Sequence, residues 1–131
     1  MKKLKGYIFS RSFMGERVPQ HVQNLVIRDY CIKNSFKYLL SESEYSMEGS
    51  YHILKNLINN LSSANGIVAY SIFQLPKDDN IRKDIILKLI KKEKTIHFAV
   101  EQCFVSRIKD WEKIDQIWKI KKILPNCLKK I

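Results

Sequence analysis

The chain has 131 residues, of which 45% are hydrophobic, and its formal net charge at pH 7 is +11. This length predicts one domain that is large enough to bury a core without disulfides or structural metals. No apolar run approaches the roughly 20 residues of a membrane helix, and the run at 7–9 that follows the basic start is too short for a secretion signal. We therefore expect a cytoplasmic protein.

The positive charge has two explanations, and the sequence leaves both open. An excess of this size attracts phosphates and other anionic partners over long distances. A coding composition biased toward lysine would also place lysines on any solvated surface, and here they are spread over several predicted elements.

Apolar runs and helical periodicities alternate along the chain. The runs predict four strands at 7–9, 36–40, 66–71 and 95–100. The periodicities predict helices at about 19–33, about 49–61, from 77–80 onward and about 106–124, where Pro125 ends the last one. This alternation is typical of an α/β three-layer sandwich, flavodoxin-like, with a mostly parallel four-stranded sheet in the order 2-1-3-4. We expect one domain over 1–131, with its core at about 5–102 and a basic tail after the last helix.

In open α/β sheets, ligands bind beyond the carboxyl ends of the strands, near the point where the strand order reverses. This rule nominates polar residues that follow each predicted strand: Ser10, Arg11 and Ser12 after the first, Ser41, Glu42 and Glu44 after the second, Ser71 and Gln74 after the third, and Glu101 after the fourth.

Arg11 is the leading candidate for binding an anion. A guanidinium between a strand end and a helix N-terminus can bind phosphate or carboxylate through two hydrogen bonds, and Arg17 can join it. The alternative is that Arg11 forms an ion pair with a loop carboxylate. Ser10 and Ser12 are predicted to bind hydroxyl groups, because the loop does not match a nucleophile elbow.

Proton transfer is assigned to three candidate catalytic residues, His21, Glu44 and Glu101. His21 lies in the first turn of the first predicted helix, where an imidazole can act as acid or base near pH 7. Two carboxylates that converge from neighbouring strand ends can differ in pKa and divide the acid and base roles. Glu48 is a weaker candidate of the same kind. The alternative for all of these is an ordinary solvated surface.

The remaining predictions concern substrate binding, metals, thiols and self-association. Gln20, Ser71 and Gln74 complete the predicted substrate-binding set. No histidine or aspartate spacing indicates a metal site and no glycine-rich loop indicates a phosphate cradle, so no cofactor is identified. Cys31, Cys103 and Cys127 are expected to be free thiols, with a catalytic Cys103 as the alternative. Trp111 and Trp118 indicate a broad apolar helix face, which suggests a homodimer.

Segments 7–11, 74–77 and 98–101, with Gln20 and Leu25, resemble in order the catalytic domain of serine recombinases of the resolvase type. The resemblance implies a resolvase-like fold. It does not imply strand exchange, because Phe9 stands where that family has its first arginine and Arg11 stands at the nucleophile position. Gln74 and Lys77 replace the two later arginines.

Segments 6–24, 66–76 and 96–101 resemble the sporadic carbohydrate cluster protein family, and this resemblance covers nearly the whole chain. That family consists of small bacterial proteins found among genes for surface-polysaccharide sugars. The resemblance implies a biological setting, but it supplies neither a mechanism nor catalytic residues.

These observations predict a protein of bacterial surface-carbohydrate biosynthesis. It would bind or transform an anionic sugar, a sugar phosphate or a nucleotide sugar at the strand ends. One alternative is a nucleic-acid-binding module on a catalytically inactive resolvase-like scaffold, and another is a non-enzymatic assembly subunit. Whether the chain is an enzyme stays open.

Overall fold

Five strands form one sheet in the computed structural model, which describes residues 2–13, 17–47 and 49–129, with 122–129 described by their backbone alone. The strands and helices have these bounds: β1 Lys3–Ile8, α1 Gln20–Lys33, β2 Lys37–Ser43, α2 His52–Asn59, β3 Gly66–Ala69, α3 Asp79–Lys91, β4 Thr95–Phe98, β5 Cys103–Val105 and α4 Ile108–Lys129. A 3-10 turn at Ile72–Gln74 links β3 to α3.

The strand order is β2-β1-β3-β4-β5, with β1, β2, β3 and β4 parallel and β5 antiparallel to β4. The predicted fold class and the order 2-1-3-4 are therefore confirmed, and the predicted count of four strands is wrong. β5 escaped prediction because it is only three residues long and follows β4 after a tight turn, in which Gln102 has a positive φ of 53°. From β1 the chain adds β2 on one side and then β3 on the other side. The strand order therefore reverses between β1 and β3.

An irregularity in β1 and β2 lengthens the second strand beyond its predicted end. Lys5 pairs with Leu39, but Tyr7 pairs with Glu42, so two residues of β2 lie opposite Gly6. A Cβ atom at Gly6 would overlap the side chain of Ser41, which is why this position needs glycine. The segment 41–43, predicted to be a loop, continues β2 instead.

The helices cover the two faces of the sheet unequally. α1 packs on one face, where Ile27, Tyr30 and Cys31 contact Leu4 and Val68. α2, α3 and α4 pack on the other face around a larger apolar core. Helices on both faces confirm the predicted layers. The α4 helix continues beyond Pro125 to Lys129, so the predicted end at Pro125 is wrong; proline removes one backbone donor but does not forbid continuation.

The two tryptophans of α4 pack into the chain's own core. The exposed fraction is 4% for Trp111 and 0% for Trp118, whose indole N–H donates to the carbonyl of Ile72 at 2.8 Å. These indoles are therefore not available as the dimer surface predicted from the sequence, although the predicted homodimer itself stays untested. Ile117 and Ile120 on the same helix are exposed.

Arg82 joins α3 to α4 through a fully buried side chain. Its Nη2 donates to Asp79 at 2.6 Å and to Asp115 at 2.9 Å, and its Nη1 donates to the carbonyls of Pro76 and Lys77. The guanidinium lies 4.6 Å from the ring centroid of Trp118. Arg82 thus fixes both the last helix and the segment that follows the 3-10 turn.

His97 is a core histidine on β4, with an exposed fraction of 4%. Its Nδ1 lies 2.7 Å from the Tyr30 hydroxyl and its Nε2 lies 3.1 Å from the Thr95 hydroxyl. Burial, reinforced by the positive charge of Lys2, lowers the pKa of His97 from 6.5 to about 4.

This pKa predicts a loss of stability in mild acid. Below pH 6.5 the unfolded chain gains a proton at His97 that the folded chain does not bind until about pH 4. The free energy of unfolding should therefore fall over that window, by a total of about 3 kcal/mol. Urea unfolding across the window should show this slope in the wild type and a shallower one in His97→Phe. Equal slopes in the two proteins would assign the acid sensitivity to other groups.

No helix in the described part of the chain is long and apolar enough to cross a membrane.

Candidate functional site

Three adjoining cavities open at the carboxyl ends of β1 and β3, where the strand order reverses. The largest of the three, which we call the aromatic cleft, has a volume of about 380 Å³. Its walls include the rings of Phe9, Phe13, Tyr51 and Phe73 and the cationic side chains of Arg11 and Lys77. Ligand sites of α/β proteins occur at this place in the sheet.

A second cavity of about 290 Å³, the first-loop cavity, shares Phe9 and Arg11 with the aromatic cleft. It brings together four of the binding residues predicted around the first loop, Ser10, Arg11, Arg17 and Gln20, and the predicted catalytic residue His21. A third cavity of about 170 Å³ shares Phe13 and Phe73 with the aromatic cleft and is also lined by Ser71, Glu101 and Lys121.

The Arg11 guanidinium lies between the aromatic cleft and the first-loop cavity and contacts the loop that precedes α2. It donates to the backbone carbonyls of Tyr45, Met47 and Ser50 at 2.7, 3.1 and 2.8 Å. It also lies over the rings of Phe9 and Tyr51, at 4.3 and 5.1 Å from their centroids. Arg11 thus orders this loop and holds Tyr51 in the wall of the cleft, besides placing a positive charge there. The loop carboxylates considered as its ion-pair partners are not its partners in the described structure.

Glu44 lies below the site rather than in it, with an exposed fraction of 2%. Its Oε1 accepts hydrogen bonds from the Tyr7 hydroxyl and the Leu54 N–H, and its Oε2 accepts from Ser50 Oγ and the N–H groups of Tyr45 and Ile53. The carboxylate therefore satisfies backbone donors at the start of α2, where a negative charge is favoured. We assign it a structural role, since a carboxylate so buried and so fully bonded is poorly placed to exchange protons with a ligand.

The same network acts on Tyr7. Burial, followed by the negative charge of Glu44, raises the pKa of the Tyr7 phenol far above its usual range. The phenol therefore stays protonated at neutral pH and donates to Glu44.

Two buried glutamines connect the loops after β1 and β3. Gln23 accepts from the Phe9 N–H and donates to the carbonyls of Phe9 and Val18, while Gln74 donates to Gln23 at 2.7 Å and accepts from the Tyr70 N–H. Gln74 was predicted to bind substrate, but its amide is 1% exposed. Its observed contacts hold the floor of the site together.

Glu101 and Ser71, predicted from different strand ends, are brought together by the fold. The Ser71 hydroxyl donates to Glu101 Oε2 at 2.8 Å, and the Ile72 N–H donates to Oε1 at 3.0 Å. Glu101 is half-buried at the third cavity and stabilises the start of the 3-10 turn that carries Phe73.

The other predicted residues lie at the surface. Ser10 and Ser12 are exposed, and the Ser10 hydroxyl donates to the carbonyl of Glu44 at 3.0 Å. Arg17, Gln20 and His21 are exposed in the first-loop cavity, where the Gln20 amide donates to Ser43 Oγ. The three predicted catalytic residues therefore occupy different surroundings, and their catalytic roles stay predictions. Glu48 and Gly15 lie outside the described residues.

The thiols whose side chains are described resemble packing groups rather than nucleophiles. Cys31 is buried and Cys103 is half-buried, and both are free. Burial raises the pKa of each to about 11, so neither is a thiolate at neutral pH, which argues against the catalytic alternative for Cys103. The Cys127 side chain lies outside the described part. Across the described residues, no group of three or more His, Cys, Asp and Glu side chains is arranged to hold a metal ion.

Sequence reasoning missed the aromatic walls of the cleft. Phe9 falls in the first predicted strand and Tyr51 in the second predicted helix, and Phe13 and Phe73 were given no role. The available signal was that Phe13 and Phe73 follow two strand ends that the order rule places together. Tyr51, which directly precedes α2, became a cleft residue because this helix begins later than predicted.

No family model and no curated protein sequence matches the chain. Five chains of solved structures match it, among them the following two. A resolvase family site-specific recombinase from Streptococcus pneumoniae matches with a TM-score of 0.59 and 8% identity, over 97% of this chain and 97% of that one. The N-terminal catalytic domain of TP901-1 integrase matches with a TM-score of 0.55 and 15% identity, over 95% of this chain and 98% of that one. At these identities the likeness shows the fold alone: this chain has the α/β fold of resolvase-type catalytic domains.

Proposed function

We propose that this protein binds a small anionic sugar ligand, such as a sugar phosphate or a nucleotide sugar, in the aromatic cleft. The observation that carries the proposal is the composition of the cleft, in which four aromatic rings surround a space of about 380 Å³ that two cationic side chains also line. The apolar C–H face of a sugar ring, or a nucleobase, stacks favourably on such rings. The positive charges suit the phosphate or carboxylate of the same ligand.

The resemblance to the sporadic carbohydrate cluster family supports a role in bacterial surface-carbohydrate biosynthesis in the cytoplasm. Within that role we assign binding rather than a reaction, because Glu44 is committed to the start of α2 and Glu101 to the 3-10 turn. Ser12 lines the cleft and offers its hydroxyl group to a ligand there.

The proposal is tested by calorimetric titration of uridine diphosphate glucose and of glucose 1-phosphate. Tyr51→Ala removes one wall of the cleft and should weaken binding about tenfold, or about 1.4 kcal/mol. Tyr45→Ala is the matched control, since the exposed Tyr45 ring lies outside the cleft and its contact with Arg11 is made by the backbone. Equal affinity in wild type and Tyr51→Ala, or no binding of either compound, would contradict the proposal.

Arg11 is examined with two substitutions, because it both carries charge and orders a loop. Arg11→Ala should weaken binding of the same ligands by about 1.5 to 3 kcal/mol, the scale of a charge-assisted hydrogen bond. Arg11→Lys keeps the charge but loses the fork that contacts three carbonyls, so it should show a smaller loss. An Arg11→Ala affinity equal to the wild type would remove this residue from the site.

A second candidate function, nucleic-acid binding, is favoured by the net charge of +11 and by the fold shared with two recombinase structures. Binding of that kind weakens steeply with added salt. A gel shift of DNA or RNA at low salt that disappears at moderate salt would favour it over sugar binding. No shift at low salt would reject it.

A further inference from the structure

A large cavity lies apart from the strand-end site. It is a groove of about 640 Å³ between β2 and α2, on the sheet face that α2 covers, and we call it the β2–α2 groove. None of the aromatic cleft residues lines it. No part of the function proposed above uses it.

The groove contains a lysine where the sheet pattern calls for an apolar residue. Lys5 lies in β1, an inner strand, and is half-buried, between Leu39 of β2 and Ile67 of β3 in register. Tyr7, the next residue on the same face, is a core residue. A lysine at such a position can use the apolar burial available there only with its methylene stem.

Lys5 also has no partner that would explain its position. Its side chain makes no hydrogen bond, ion pair or ring contact with any residue in the described ranges. An ammonium group without a paired counter-ion attracts an anion that enters the groove.

The walls of the groove carry uncharged polar groups and one carboxylate. Asn56 and Asn60 from α2 line it together with Ser63, and the Asn60 amide nitrogen already donates to the backbone carbonyl of Asn56. Glu42 lies exposed on β2. Leu39 and Leu57 add apolar surface to the lining.

We propose that the β2–α2 groove is a second binding site, for a small polyhydroxylated molecule that carries an oxyanion, either a carboxylate or a phosphate. Lys5 contacts the oxyanion as a compact point charge. The amides of Asn56 and Asn60 and the carboxylate of Glu42 bind hydroxyl groups. The apolar lining takes the C–H side of the ligand.

The test titrates the wild type with three probes at millimolar concentration, namely glucose 6-phosphate, gluconate and inorganic phosphate, and follows amide NMR shifts. Shifts grouped at Lys5, Asn56 and Asn60 support the proposal without any variant. Comparison of glucose 6-phosphate with gluconate tells whether the oxyanion is a phosphate or a carboxylate, and inorganic phosphate tells whether the hydroxyl groups contribute. If none of the probes shifts these amides, the proposal is overturned.

Variants separate ligand binding from a structural role of Lys5. Lys5→Met should keep the fold and weaken binding of the best probe at least tenfold, whereas the control Lys55→Met, on α2 outside the groove, should bind like the wild type. Equal binding by Lys5→Met overturns the proposal. A double-mutant cycle that combines Lys5→Met with Glu42→Gln gives a second test. If their effects on the free energy of unfolding are strongly coupled, the proposal is also overturned, because Lys5 and Glu42 would then form an ion pair with each other. Tyr51→Ala should leave these amide shifts unchanged, so failure of the cleft and failure of the groove are distinguished.

Discussion

Replacing Asp115 with alanine is expected to lower the free energy of unfolding by about 3 kcal/mol, because it strands a buried positive charge. Arg82 has no exposed side-chain surface, and of its two carboxylate partners Asp79 is 52% exposed and Asp115 is 22% exposed. Of the two ion pairs that Arg82 makes, the one with Asp115 is therefore better shielded from solvent. Without it the guanidinium keeps two backbone carbonyls and a single carboxylate, the more solvated Asp79, and its Nε has no hydrogen-bond partner in the described structure.

Arg82→Met should cost less, about 1 to 2 kcal/mol. Methionine fills the space beside Trp118 without a charge, and both aspartates left behind reach solvent. The control is Asp29→Ala, which breaks the exposed Lys33–Asp29 pair and should cost no more than about 0.5 kcal/mol. Urea unfolding of the three variants ranks these costs. A larger loss in Arg82→Met than in Asp115→Ala would contradict the explanation based on a stranded charge.

The acid dependence of the Asp115 effect follows from its pKa. Burial opposes ionisation and is the largest single influence, but hydrogen bonds from Arg82 and Lys119 together outweigh it and lower the pKa. A carboxyl whose folded pKa is lowered contributes stability above its unfolded pKa, which is about 3.9, and loses that contribution as the pH falls through the folded value. The difference in stability between the wild type and Asp115→Ala should therefore narrow only below about pH 4.

The order of the parallel strands could be predicted because it follows from local patterns. Apolar runs of strand length alternate with helical stripes, and right-handed connections leave few topologies for that alternation. The carboxyl-end rule nominated Ser10, Arg11 and Ser12 after the first strand, and Ser10 and Arg11 line one cavity together with Arg17, Gln20 and His21. The strand order and the place of the candidate site can therefore be predicted from chain order and residue type.

The partners of the predicted residues could not be read from the sequence. Arg11 is separated by 34 residues from its first carbonyl partner, and backbone carbonyls carry no residue-type signal. A carboxylate at a strand end looks the same in sequence whether it faces a ligand, as predicted for Glu44, or faces the N–H groups of a helix that begins later. Arg82 gave no signal either, because a single arginine in a lysine-rich helix does not indicate that it is buried.

Glu44→Gln is expected to lower the free energy of unfolding by about 3 kcal/mol or more. Five donors converge on the two carboxylate oxygens, with distances from 2.9 to 3.2 Å. A glutamine keeps the size but turns one oxygen into an NH₂ group that faces donors. The substitution therefore loses bonds to a charged acceptor, each worth about 1.5 to 3 kcal/mol, and leaves buried donors unpaired.

Two further variants decide between this structural role and the catalytic role predicted from the sequence. Tyr7→Phe removes one of the five bonds and should cost about 1 to 1.5 kcal/mol, while Glu42→Gln, on the exposed part of β2, should be nearly neutral. The expected order of loss in urea unfolding is therefore Glu44→Gln, then Tyr7→Phe, then Glu42→Gln. If Glu44→Gln retained wild-type stability, the network would not be what positions α2 and Tyr51. Glu44 would then return as a candidate for proton transfer, because a carboxylate that the fold does not need is free to serve a ligand.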